Sequence, residues 1–150
     1  RNSMNILVIN GPNLNMLGIR EPAVYGERTY ADLVSFIGEC AAALGVSVSV
    51  EQYNGEGEIV TAIQRAYGRY DGIVINAGGY THTSVAILDA LKAVALPVAE
   101  VHLSDIGARE SFRQFSYISL IAEKKYCGYG FDGYKFALEY LKNREKTLDK

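Results

Sequence analysis

Arg20 and Tyr25 lie five residues apart in GPNLNMLGIREPAVYGERT, residues 11–29. The stretch is rich in turn-formers, and a loop needs neither a permanent cation nor a phenol for its backbone geometry. The chain has two histidines, His82 in AGGYTHTS and His102 in EVHLSD. A histidine can hold or release a proton near neutral pH. HLSD adds backbone N–H groups and the Ser104 hydroxyl at a turn, a set that can receive a small carboxylate. Arg109 and Arg113 follow, four residues apart. On one face of a helical turn, either could read ligand oxygens or form a surface pair with Glu110.

These residues need elements to position them. Asn5 to Asn10 (NILVIN) reads as a buried strand, and Tyr30 to Leu44 as a helix stopped by Gly45. Val46 to Tyr53 alternates with period two, a second strand. Glu58 to Tyr67 places Ile59, Ala62, Ile63 and Ala66 on one helical face. Gly72 to Asn76 is a third strand, and Thr83 or Ser84 can cap a helix running to about Val94. Pro97 to His102 is a fourth strand, Lys125 to Tyr129 a fifth, and Tyr134 to Lys142 a last helix. β-α is thus repeated five times, with one longer irregular segment between strands four and five. Such alternation implies a doubly wound, flavodoxin-like α/β domain: a five-stranded parallel sheet with helices on both faces.

In that fold, ligands bind beyond the carboxyl ends of the strands, near the point where strand order reverses. Strand one ends at Asn10 and runs into Gly11, Pro12 and Asn13. Strand three ends at Asn76, just before His82, and strand four ends at His102. A lone histidine is more often structural than catalytic. Both histidines of the chain on that edge, beside two asparagines and the Arg20–Tyr25 loop, reverse the odds. NAGGY and GPNLNMLG match neither a P-loop nor a dinucleotide fingerprint, so their glycines read as turn residues.

The 150 residues are expected to form one domain from Met4 onward, with Arg1–Ser3 extraneous to it. A composition 49% hydrophobic and 21% charged, with net charge −2, is that of a globular protein without a basic field for nucleic acid or anionic membrane. No apolar stretch approaches the roughly 18 residues of a membrane span. Cys40 and Cys127 read as buried thiols, which implies a reducing cytoplasm, and the histidine and cysteine spacings offer no metal site.

GPNLNMLGIREPAVYG, INAGGYTHTS and EVHLSDIGARESFRQFSY strongly resemble type II 3-dehydroquinate dehydratase of the shikimate pathway. With NGEGE at 54–58 and GYGFDGY at 128–134, the resemblance spans nearly the whole chain. It implies removal of water from 3-dehydroquinate to give 3-dehydroshikimate, by anti elimination through an enol or enolate. A phenol with a pKa of about 10 is a poor base at neutral pH, and a close cation favours its ionised form. Arg20 should therefore lower the pKa of Tyr25 and make a tyrosinate base.

By the same resemblance His102 is the general acid, with Glu100 on the same strand face to orient it or hold its proton. Asn76 helps to stabilise the enolate and Asn13 supports the tyrosine side. His82, Leu103 and Ser104 (the last two through backbone N–H) and Arg113 hold substrate carboxylate and hydroxyls. Asp89 reaches a neighbour's site within a dodecamer, a tetramer of trimers. Asp105, Gly107, Gln114, Phe115 and Gly55 depart from residues commoner in the family.

An unrelated enzyme class runs this dehydration through a lysine Schiff base. Lys92 and Lys142 fall in helical patterns, and Lys124 and Lys125 begin a strand at the wrong edge. No cofactor is expected. The segment from Gly18 to Arg28 is expected to close over substrate as a lid. The alternatives are a flavodoxin-like flavin carrier, a receiver domain and an inactive scaffold of the same fold. The carrier would want a Ser/Thr-rich phosphate loop after strand one. The receiver would want acidic residues where Asn10 and Asn76 stand.

Overall fold

A computed structural model describes residues 4–19, 23 and 27–148, with side chains as far as Arg144. Arg20 and Tyr25, and with them most of the expected lid, lie outside the described residues. Five strands, β1 (Asn5–Asn10), β2 (Ser47–Gln52), β3 (Gly72–Asn76), β4 (Val98–His102) and β5 (Lys124–Cys127), form one sheet in the order β2-β1-β3-β4-β5. Every adjacent pair is parallel. Four α-helices are described: α1 (Tyr30–Leu44), α2 (Glu56–Ala66), α3 (Val85–Val94) and α4 (Asp132–Leu148).

β1, β3 and β4 are apolar at nearly every position because both of their faces are covered. Ile6, Val8, Val74, Ala99 and Val101 pack against Leu33 and Ile37 of α1 and Tyr134, Leu138 and Leu141 of α4. Leu7, Ile9, Ile73, Ile75 and Val98 pack against Ile59 and Ile63 of α2 and Ile87 and Leu91 of α3. Each valine, leucine or isoleucine among these contributes roughly 1.5–3 kcal/mol by leaving water. The alternation also fixes the last polar residue of each strand. Asn10 and Asn76 continue the row facing α1 and α4, whereas Glu100 and His102 continue the row facing α2 and α3.

The helix ends obey local chemistry. Thr29 and Asp32 form a reciprocal capping box on α1, and Gly45 ends it with φ 72°. Ser84, rather than Thr83, caps α3: its hydroxyl accepts from the Ile87 N–H at 2.9 Å. α2 starts at Glu56, two residues before the expected start, with Glu58 accepting from the Gly55 N–H at 3.1 Å.

Further expectations change. The β-α repetition is fourfold among the described residues, because β4 crosses to β5 through three 3₁₀ turns: Ile106–Ala108, Ser111–Arg113 and Ile118–Leu120. That segment has no continuous apolar face on which an α-helix could dock. β5 ends at Cys127, because Gly128 turns away with φ 84°. α4 begins two residues early at Asp132 and runs beyond Lys142 to Leu148. Cys40 and Cys127 are free but only half-buried, Cys127 lying on the edge strand. No helix among the described residues is long and apolar enough to cross a membrane.

Candidate active site

Strand order reverses between β1 and β3, and the loops leaving these strands interlock there. Gly11 donates its N–H to the Asn76 carbonyl at 2.7 Å. A Cβ on Gly11 would lie 2.4 Å from the Ala77 carbonyl oxygen, and one on Gly78 would meet the Pro12 carbonyl at 3.0 Å. Glycine is required for this close approach. Amides on the β2 side brace the first loop. Gln52 Nε2 donates to the Gly11 carbonyl at 3.1 Å, and the Asn13 N–H donates to Asn54 Oδ1 at 3.2 Å. Asn13 itself is left-handed, with φ 74°.

A cleft of about 140 Å³ opens at this edge. Its walls come from Pro12, Asn13, Leu14 and Leu17 after β1, from Asn76, Gly78, Gly79 and His82 at β3, and from His102, Leu103, Ser104 and Ile106 after β4. Arg109 and Arg113 close the far side. Among the described residues of the sequence-based set, Asn13, Asn76, His82, His102, Leu103, Ser104 and Arg113 line one cleft, with Glu100 behind it. Asp89 does not: it is exposed on α3 and away from the lining.

Two buried polar assemblies converge on the cleft from opposite faces of the sheet. On the α4 side, the Tyr134 hydroxyl donates to Asn10 Oδ1 at 2.6 Å and accepts from Asn76 Nδ2 at 3.1 Å. Asn76 Oδ1 accepts from the Gly78 N–H at 3.2 Å, so the amide is held at both ends. Asn10 Nδ2 donates to the Tyr30 hydroxyl at 3.4 Å. Burial pushes the Tyr134 phenol far above its ordinary pKa, so this hydroxyl stays protonated.

On the other face, Glu100 Oε2 lies 2.5 Å from His102 Nε2. The Ser116 hydroxyl donates to Glu100 Oε2 and the Ser119 hydroxyl to Oε1, each at 2.6 Å. Burial works to raise the Glu100 pKa, but the His102 and serine hydrogen bonds together outweigh it and leave the carboxyl below its usual range. An ionised carboxylate only accepts, so His102 Nε2 carries the shared proton and Nδ1 is left for the cleft.

His82 Nδ1 lies 2.8 Å from the Phe115 carbonyl, which fixes the proton on Nδ1 and leaves Nε2 as an acceptor in the neutral ring. Burial is the main cause holding the His82 pKa below its ordinary value, and the nearby His102 and Arg113 add to it. The Arg109 and Arg113 alternatives coexist. Arg113 Nε lies 2.8 Å from Glu110 Oε1 and Arg109 Nε lies 3.9 Å from it, and both arginines still face the cleft. No group of three or more histidine, cysteine, aspartate or glutamate side chains among the described residues could hold a metal ion.

Sequence reasoning missed Tyr134, Ser116, Ser119 and the Phe115 carbonyl. Tyr134 left one signal: a tyrosine on the apolar face of a helix must find a partner for its hydroxyl. The serines left none, since they reach Glu100 from an aperiodic segment 16 and 19 residues away.

The family model "Dehydroquinase class II" matches residues 4–142. A 3-dehydroquinate dehydratase of Clostridium acetobutylicum is 51% identical over 140 residues, covering 93% of this chain and 97% of that one. A 3-dehydroquinate dehydratase 2 of Pseudomonas putida is 55% identical over 136 residues, covering 91% of each chain. The crystal structure of a type II dehydroquinase from Butyrivibrio crossotus superposes with a TM-score of 0.92 at 45% identity, covering 94% of this chain and 99% of that one.

Proposed function

This chain belongs to the class II dehydroquinase family, and from that premise we propose that it dehydrates 3-dehydroquinate by anti elimination through an enolate. The activity is that of a hydro-lyase of the shikimate pathway. A base removes a proton from the carbon beside the ketone, and the electron pair left there is held as an enolate. The enolate then expels the hydroxyl on the next carbon, which leaves as water once an acid has protonated it.

Tyr25 is the base in this reading, ionised by the Arg20 guanidinium. Asn13 supports that side, and Asn76 stabilises the developing enolate, the Tyr134 and Gly78 bonds having already fixed its orientation. His102 delivers the proton to the leaving hydroxyl, with Glu100 holding the ring in register. The Leu103 and Ser104 N–H groups and Arg113 receive the carboxylate. A neutral His82 accepts from a substrate hydroxyl through Nε2. Asp89, exposed on α3, serves the site of a neighbouring copy in a dodecamer built from four trimers.

The observation that carries the reading is the buried Glu100–His102 pair opening onto the same cleft as the anchored Asn76 amide. That arrangement supplies a proton donor and an oxyanion partner to one small molecule. Incubation with 3-dehydroquinate should produce the ultraviolet absorbance of a conjugated enone without added cofactor. No absorbance change from well-folded protein would refute the function.

A further inference from the structure

Glu100 has three side-chain hydrogen-bond partners, and the two beyond His102 come from a remote segment. The 3₁₀ turns after β4 bring Ser116 and Ser119 to opposite oxygens of this carboxylate, each at 2.6 Å. Ser116 is itself fixed, because its Oγ accepts the Ser119 N–H at 3.1 Å while its hydroxyl proton goes to Glu100. The same segment holds the site's other histidine through the Phe115 carbonyl, and its Tyr117 N–H donates to the Thr81 carbonyl at 2.9 Å.

We propose that Ser116 and Ser119 are positioning residues for proton delivery by His102. Their hydroxyls lock Glu100 as an ionised, correctly aimed acceptor, so that the proton shared between Glu100 and His102 stays on the imidazole. This rests on the reading of His102 as the proton donor.

The physical argument is a competition for one proton. A buried carboxylate without enough donors becomes basic and takes a proton from its neighbour. A glutamic acid donating to Nε2 of a neutral imidazole has the same net charge as the ion pair, but the Nδ1–H it leaves belongs to a neutral ring, a far weaker acid than imidazolium. Two hydroxyl donors tilt that balance toward carboxylate and imidazolium. The other titratable or charged groups near this pair are His82 from the turn after β3, Arg113 from the 3₁₀ segment, and Lys125 and Cys127 from β5. None of them donates to Glu100 in place of the serines.

Ser119→Ala is the cleaner variant, because Ser119 is exposed and its backbone bond to Ser116 survives. It should lower kcat roughly tenfold, and Ser116→Ala/Ser119→Ala roughly a hundredfold, with KM changed by less than about twofold. Ser119→Thr, which keeps a hydroxyl where there is room for a methyl, should stay within about twofold of the parent. When His102 gives up its proton, the carboxylate left bare is stabilised less in these variants. The alkaline limb of kcat should therefore move to higher pH as its plateau falls.

An unmoved limb with parental kcat in the double variant, or a loss confined to thermal stability, overturns the proposal. Nitrogen-15 titration of the His102 ring in substrate-free protein reads the same shift without turnover. If the parent protein fails to dehydrate 3-dehydroquinate, the functional reading alone falls. If the His102 titration is unmoved in Ser119→Ala and in the double variant, the serine assignment falls.

Discussion

The Tyr134 hydroxyl reaches Asn10 Oδ1 at 2.6 Å across 124 residues of sequence, tying the last helix to the end of the first strand. Its remaining lone pairs accept from Asn76 Nδ2, so one buried phenol spans the two strands that flank the reversal of strand order. Asn10 and Asn76 are direct register partners in β1 and β3. The Asn76 amide at the cleft is therefore aimed by a group wholly removed from solvent. A side chain held this way would lose little entropy on binding the enolate of the proposed reaction.

Tyr134→Phe removes that oxygen while keeping the ring in the core. Asn10 Oδ1 loses its donor and Asn76 Nδ2 its acceptor, and both residues are buried. Unsatisfied buried polar groups cost roughly 1–3 kcal/mol each, so denaturant unfolding should show a loss of about that size. Turnover should fall about tenfold as Asn76 gains freedom. Parental stability together with parental turnover would show that Tyr134 aims nothing.

Glu100→Gln keeps the shape of the side chain and abolishes its charge. The amide offers one acceptor oxygen where the carboxylate serves three donors. His102 loses the anionic partner of its Nε2. We expect kcat to fall about a hundredfold, in keeping with the loss of a general acid, while KM changes by no more than about threefold. Steady-state kinetics decide it: a rise in KM with kcat unchanged would place Glu100 in binding instead.

Most of the scaffold was legible because β1, β3 and β4 are covered on both faces and so read as continuous apolar runs. Those runs end in polar residues where the sheet stops, which located Asn10, Asn76 and His102 at the functional edge. The segment from Leu103 to Glu123 was illegible for the opposite reason. Its turns are short, its buried residues few, and the contacts it makes are long-range hydrogen bonds that leave no period. The Ser116–Glu100 bond exists only once β4 and the 3₁₀ turns have packed, and no local pattern encodes it. Asp89 is exposed on α3 and away from the cleft lining.

Tyr25→Phe tests the base assignment directly. Losing the phenolic oxygen should reduce kcat by about 10³-fold or more, at the upper end of what acid–base catalysis contributes. Circular dichroism should be unchanged, because the substitution keeps the ring and removes only its hydroxyl. Turnover within about tenfold of the parent would remove Tyr25 as the base and send the search to another group at the cleft.

His82 gives the fold a pH dependence of predictable sign. Burial is the chief reason that its folded pKa lies below the ordinary histidine value of about 6.5. Between those two values the unfolded chain binds a proton that the folded protein refuses, so stability falls as pH falls through that interval. The Glu100 carboxyl, also depressed, adds a separate loss only at lower pH, as pH falls below about 4.3 toward its folded value. His82→Asn retains a donor for the Phe115 carbonyl but cannot titrate. Thermal melts between pH 7 and pH 5 should therefore show a shallower decline for His82→Asn than for the parent. Equal slopes would mean that His82 titrates alike in the folded and unfolded chain, and would undo its assignment as a neutral acceptor.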